Sequence, residues 1–345
     1  MKLGTGAIGF GPKARIHMDL LRHAESLGYD SAWTAEAYGN DAVSTAAWVL
    51  AQTTKLKVGT AIMQMPARTP AMAAMTAMTL DHLSGGRFIL GLGPSGPQVV
   101  EGWHGVTYGK PLTRTREYIQ IIRQILAREK PLEFHGEIYD VPVAGGTGLG
   151  KPLKSILHGN PRIPIYTAAI SPAGLRCAGE VADGVFPMMV DPERVDEVYL
   201  PYLGEGFARA GGGKDLSSFA IVASTTVIVS DDVDKARGPV KGHMALYIGG
   251  MGARDKNFYN DLARRLGYEQ AAAKIQDLFL DGKKLEAAAA VPDELVDACH
   301  LLGPKERIRE RLQAWKEAGR KGWVHTLNVG TAQPEALALV AEEVL

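Results

Sequence analysis

Leu56-Lys57-Val58-Gly59-Thr60-Ala61-Ile62-Met63-Gln64-Met65-Pro66 reads as a strand that leaves a core and stops abruptly. An Ala/Met-rich helix follows from about Pro70 to Leu83, and Ser84-Gly85-Gly86 ends it. Arg87 to Leu92 is the next apolar strand. Upstream, Ile16, Leu20, Ala24 and Leu27 share one helical face, and Gly28 stops that helix. Ser31 to Thr34 reads as a strand, and Asp41 caps a helix that runs to about Thr53. Leu3 to Phe10 is a buried first strand broken by Gly11-Pro12. Four strand–helix pairs in succession, joined by short turns, imply parallel strands with crossover helices. An open doubly wound sheet and a closed barrel both fit that rhythm.

The rest of the chain decides between them. A helix spans Thr113 to Arg128, and a small hairpin about His135-Gly136 follows. After a Gly/Pro/Lys-rich loop, Ile163 to Ala168 is strand five. Pro172 opens a helix at its favoured first position. Gly184 to Pro187 is strand six, Val195 to Ala210 a helix, and Phe219 to Val229 a β-branched strand seven. The segment from about 231 to 302 is helical, rich in alanine and charge, and shows no clear strand. It reads as an insertion after strand seven. Pro304 to Ala318 is a helix, Gly322 to Leu327 strand eight, and Pro334 to Leu345 the closing helix. Eight strands favour an α/β fold of the (β/α)8 TIM-barrel type, in one domain over residues 1–345 with insertions.

Composition narrows the partners. Lys+Arg and Asp+Glu are both 38, so no bulk field steers the chain to nucleic acid or an anionic membrane. Hydrophobic residues are 46% without a membrane-span run, which places the chain among globular proteins. Cys177 and Cys299 stand alone, as two reduced thiols of a cytoplasmic protein would.

The motifs admit two readings each. Gly91-Leu92-Gly93-Pro94-Ser95-Gly96 matches a dinucleotide-binding fingerprint, but Pro94 and Pro97 interrupt the helix that fingerprint needs. A glycine-rich loop at the functional end of a barrel strand fits better. Glu36, just beyond strand two, is either a proton donor or acceptor at the rim or a surface carboxylate. Ala168-Ala169-Ile170-Ser171-Pro172 offers free N–H groups for a phosphate, or Ser171 is a plain N-cap. The Met63, Met65, Met72, Met75 and Met78 group reads as core filler. His17 and His23 lack metal spacing, and no metal site is expected.

Four segments carry a resemblance. They are Leu27 to Trp33, Val58 to Ile62, Leu80-Asp81-His82-Leu83-Ser84-Gly85-Gly86-Arg87-Phe88-Ile89-Leu90-Gly91-Leu92-Gly93, and Ala178 to Val185. The chain resembles the bacterial-luciferase-like superfamily, and within it the coenzyme F420-dependent oxidoreductases and methylenetetrahydromethanopterin reductase. The resemblance implies a TIM barrel with a deazaflavin or flavin ring against the end of strand three. It implies a non-prolyl cis peptide at Ala61–Ile62, with small Ala61 admitting the ring and Ile62 pressing on its back face, Met63 adjoining. The Gly93-Pro94-Ser95 loop would border the cofactor's side chain, and Ala168, Ala169, Ile170 and Ser171 its phosphate. Lys151, Lys154 and Arg162 would meet the anionic tail. Relatives often carry an Asp-His pair where this chain has Glu36 and Ala37, so the carboxylate is kept and the imidazole lost. Glu36 is then the proton-relay candidate. Strand one offers only Thr5, Gly6, Ala7 and Ile8 at its tip.

The expected activity is F420-dependent hydride transfer between C5 of the deazaflavin and a small organic substrate. Reduced-FMN monooxygenation on the same fold, and non-catalytic F420 or flavin storage, are the alternatives. A homodimer or higher homo-oligomer is implied, with no nucleic-acid or membrane partner.

Overall fold

Each strand expected from the sequence finds a parallel neighbour, and the eighth returns to the first. The computed structural model describes residues 1–6, 8–9 and 11–345, without the side chains of Ile8 and Gly9. Ala7 therefore lies outside the described residues.

The barrel strands are β1 (Lys2–Gly6), β2 (Ser31–Thr34), β3 (Lys57–Thr60), β4 (Phe88–Gly93), β5 (Ile165–Ala168), β6 (Gly184–Phe186), β7 (Ala220–Val229) and β8 (Thr326–Gly330). Their registers run Gly4↔Ser31, Ala32↔Val58, Val58↔Phe88, Gly91↔Tyr166, Thr167↔Val185, Gly184↔Ala220 and Ser224↔Asn328. Leu3↔Leu327 closes the ring. An open sheet, and with it the dinucleotide reading of the glycine loop, is excluded.

The covering helices are α1 (Met18–Ser26), α2 (Ala42–Gln52), α3 (Pro70–Ser84), α4 (Pro111–Ala127), α5 (Pro172–Val181), α6 (Leu200–Ala210), α7 (Lys305–Arg320) and α8 (Pro334–Val344). Their ends follow local chemistry. The Asp41 carboxylate accepts from Ser44 N–H at 2.6 Å, and Thr69 Oγ1 accepts from Met72 N–H at 3.2 Å ahead of Pro70. Gly85, at φ 68°, closes α3 in the left-handed conformation. Met63, Met65 and Met78 are core residues, whereas Met72 and Met75 are exposed on α3.

Four expectations need correction. First, the hairpin pairs Phe134–His135 with Asp140–Val141, so its turn lies beyond His135-Gly136. The buried Glu117 carboxylate on α4 sets it, accepting from the N–H groups of Glu137, Ile138 and Tyr139 at 2.7–2.9 Å. Second, the 231–302 segment does end in a strand: Leu301–Gly303 pairs with Val227–Val229, the part of β7 that overshoots the barrel. Third, strand eight starts at Thr326, because Trp323 and Val324 donate back to Ala318 O and belong to the end of α7. Fourth, the first helix starts at Met18, after Arg15–Ile16 pairs with Ile8–Gly9. No helix among the described residues is long and apolar enough to cross a membrane.

The lumen is built around missing side chains. A Cβ on Gly59 would lie 2.3 Å from the Trp33 ring, one on Gly184 2.7 Å from Tyr166, and one on Gly91 2.9 Å from Phe186. These glycines make room for three large rings, with Trp33 and Phe186 edge-on at 5.1 Å between centroids. Ala220 and Val222 join the plug from β7. Two residues further on, at the next inward position, Ser224 is exposed, as are Gly6 and Gly330. The plug therefore stops halfway, and the barrel opens at the C-terminal ends of its strands.

Candidate active site

The open end is walled by the loops that leave the strands. Beyond β3 the Ala61–Ile62 peptide is cis, as the resemblance implies. Ala61 donates its N–H to Thr34 O at 2.6 Å and packs against the aromatic plug. The Ile62 side chain lies across Gly93, where a Cβ would sit 2.6 Å from Ile62 Cδ1. Met63 turns its side chain into the core between barrel and helices, and Met63–Gln64 pairs with Leu92–Gly93. Gly93 ends β4 and Pro94 and Ser95 follow directly, with Ser95 at φ 59° in the left-handed region.

Ala168 ends β5 and the loop after it holds Ala169, Ile170 and Ser171, all four partly exposed. Ala169 spends its N–H on Phe186 O, and the Ser171 hydroxyl accepts from Gly174 N–H at 3.1 Å as the N-cap of α5. A cation that sequence reasoning missed borders this loop. Arg265, from the inserted helix Phe258–Arg265, donates through Nη2 to Ile170 O. Its Nε and Nη1 are buried without partners. Lys154 and Arg162 do not join it. Lys154 donates to Glu129 O just beyond α4, and Arg162 precedes β5, so both sit at the opposite, N-terminal face.

Glu36 lies after β2 with its side chain only 8% exposed. Oε1 accepts from Arg68 Nη1 at 2.7 Å and from Gln64 N–H at 3.3 Å, and Oε2 accepts from Ala42 N–H at 3.1 Å. Arg68 also pairs with Asp41. Burial alone would lower the Arg68 pKa, but the Glu36 and Asp41 carboxylates outweigh it and the guanidinium is held above its usual range. The Tyr118 hydroxyl donates to Arg68 O at 3.1 Å and ties the network to α4.

Two histidines absent from the sequence reading stand at this end. His104, in the loop after β4, faces the buried Gln64 amide, with Nε2 2.7 Å from Gln64 Oε1. Gln64 Nε2 in turn donates to Ala37 O at 2.7 Å. His300, at the rim beside β7, accepts Thr226 N–H on Nδ1 at 3.0 Å. Its other nitrogen, Nε2, therefore carries the proton of the neutral ring. Burial, with His243 nearby, pushes the His300 pKa down to about 4.

Comparison with known proteins places this geometry. The luciferase-like monooxygenase family model matches residues 2–322. A Mycobacterium tuberculosis protein, named provisionally as a coenzyme F420-dependent oxidoreductase, is 44% identical over 345 residues, 99% of each chain. The 5,10-methylenetetrahydromethanopterin reductase of Archaeoglobus fulgidus is 30% identical over 93% of this chain and 92% of its own. Among solved structures, the coenzyme F420-dependent tetrahydromethanopterin reductase of Methanopyrus kandleri superposes with a TM-score of 0.77 at 25% identity, covering 99% of this chain and 98% of its own.

Proposed function

The chain belongs to the luciferase-like monooxygenase family, and on that footing we propose that it is a coenzyme F420-dependent oxidoreductase that exchanges a hydride between C5 of the deazaflavin and a small organic substrate. The observation that carries this reading is the half-open lumen. An aromatic floor stops below Gly6, Ser224 and Gly330, and Ala61 and Ile62 form one side of the slot above it. A flat ring fits such a slot because small residues leave its faces uncovered. The names of the relatives above support F420 as the ring in question.

The loop chemistry fits the rest of that cofactor. The unpartnered Nε and Nη1 of Arg265 give the Ala168–Ser171 loop a cation suited to a phosphate. Gly93, Pro94 and Ser95 would border the side chain between ring and phosphate. Met63 would contribute through its backbone, since its side chain is committed to the core. When bound, F420 supplies the carbon that gives or takes the hydride, while the chain orients it and shields it from water. Glu36 holds Arg68 and Gln64 in place, its oxygens being taken by three donors. Cys177 and Cys299 are buried, in keeping with a reduced, cytoplasmic protein. Trp48, Met72 and Met75, exposed on α2 and α3, are where self-association to a homodimer would bury apolar surface.

Fluorescence titration tests the assignment. F420 should bind and FMN should bind far more weakly, and E36Q should leave the F420 affinity within a few-fold while lowering the unfolding free energy by about 1–2 kcal/mol. FMN binding without F420 binding reverses the reading in favour of monooxygenation.

A further inference from the structure

We infer that His104 is the catalytic acid–base residue of this site, with Nδ1 as the working atom, Gln64 as the residue that fixes its tautomer, and an alcohol–carbonyl pair as the substrate class. This rests on the hydride-transfer reading above.

The argument starts from a carbonyl that can only accept. Ala37 O takes a hydrogen bond from Gln64 at 2.7 Å, so the nitrogen end of that amide faces Ala37. The oxygen end, Oε1, then faces His104 at 2.7 Å. An amide oxygen cannot donate, so His104 Nε2 must carry the proton. A neutral imidazole has one N–H, and the lone pair falls on Nδ1. Among the described residues Nδ1 has no hydrogen-bond partner, and it is not sealed from solvent. Gln64 itself cannot rotate to release this choice. It is 1% exposed, its backbone N–H is held by Glu36 Oε1, and its strand pairs with Leu92–Gly93. The base is thus tied to the segment that begins at Ala61–Ile62.

The other candidate bases described at the mouth are already engaged. The Glu36 oxygens accept from Arg68, Gln64 and Ala42. The Ser171 hydroxyl oxygen caps α5. The His300 lone pair accepts Thr226 N–H, leaving a donor and no base. His104 also stands, through Gln64, two hydrogen bonds from the backbone of Ala37, the position where the resemblance finds the expected imidazole missing.

A free imidazole lone pair on the loop after β4 would suit a substrate that loses a proton from a heteroatom as the bound cofactor takes up the hydride. Oxidised F420, when bound, would supply the acceptor for the carbinol hydride and its electron pair. The hydroxyl gives its proton to His104 Nδ1. The C–H and O–H bonds break and the C=O π bond forms. In reverse, Nδ1–H of the imidazolium returns a proton to the carbonyl oxygen as the hydride arrives. Gln64 Oε1 accepts from Nε2–H in both protonation states, so the pair need not rearrange.

Two measurements test this. In ¹⁵N-histidine NMR of the wild-type protein, His104 should show an unprotonated Nδ1 and a protonated Nε2, and a protonated Nδ1 in the neutral ring overturns the inference. Turnover is followed with oxidised F420 and cyclohexanol, and with reduced F420 and cyclohexanone. H104A should lose about 10²–10⁴-fold in kcat, bind F420 as wild type does by fluorescence, and regain turnover with added imidazole. H104Q, which keeps a donor for Gln64 Oε1 but no base, should match the loss and serves if H104A does not fold. Undiminished turnover in either folded variant overturns the assignment. Wild-type protein that binds F420 but turns over neither probe overturns the substrate class, whereas absence of F420 binding overturns the proposed function instead.

Discussion

Midway along the barrel the lumen is filled by Trp33, Tyr166 and Phe186, while toward the C-terminal ends of the strands Gly6, Ser224 and Gly330 stand exposed. Both halves depend on small inward residues. Below, the missing Cβ of Gly59 and of Gly184 leaves room for a ring from the adjacent strand, and that of Gly91 for the Thr60 carbonyl and the Phe186 ring, so glycine increases buried area. Above, Gly6, Ser224 and Gly330 are exposed, and the same smallness leaves a slot. Substitutions should therefore separate cleanly, with stability at stake in the lower half and binding in the upper.

The largest effect should come from Gly91→Ala. Its Cβ would lie 1.7 Å from the backbone oxygen of Thr60, which no rotamer change can relieve. The loss should be about 4 kcal/mol or more, seen as a lower urea midpoint or failure to fold. A wild-type midpoint would break the comparison, because the lower half would not be close-packed. Ser224→Leu is the counterpart above. Its stability should stay within about 0.5 kcal/mol of wild type, since the side chain is exposed. F420 affinity should fall about 100-fold, close to 2.7 kcal/mol, as the new side chain enters the slot. Unchanged affinity by fluorescence would place the ring elsewhere.

The division also marks what the sequence made legible. The strand–helix rhythm located the eight strands because each is read within a few residues. It erred where a partner distant in sequence decides. Trp323-Val324 looks like a strand start but bonds back to Ala318, and Leu301–Gly303 is a strand only because β7 overshoots to meet it. The cis peptide at Ala61–Ile62 was reached through resemblance, whereas the loop after β5 already stood out in the pattern as a strand-to-helix turn with free N–H groups. Arg265 was out of reach, since it meets Ile170 across 95 residues. His104 was too, because its meaning depends on a buried amide 40 residues away that is itself fixed by Ala37. Such a relation between three loops leaves no local spacing to read. Glu36 was noticed, but its engagement with Arg68 and Ala42 shows only in three dimensions.

The smallest effect sharpens the comparison at the rim, where the upper half buries a titratable ring. Folded His300 titrates at about 4, against an ordinary 6.5, because burial disfavours its charged form. Between those values the unfolded chain binds a proton that the folded chain refuses, so stability rises with pH in that window. The contribution is fully present above about 6.5 and is lost as pH falls toward 4. From pH ~7 to ~5.5 the loss should be about 1 kcal/mol. In His300→Asn, the amide oxygen can still accept Thr226 N–H but does not titrate. The acid-side fall in unfolding free energy, read from urea titrations, should shrink by that amount, leaving the part due to His243 and His325, which burial also lowers. If the wild-type and variant curves run parallel instead, His300 is open to water. The inserted segment then leaves the rim wet, and exclusion of water from the slot must come from the substrate or cofactor alone.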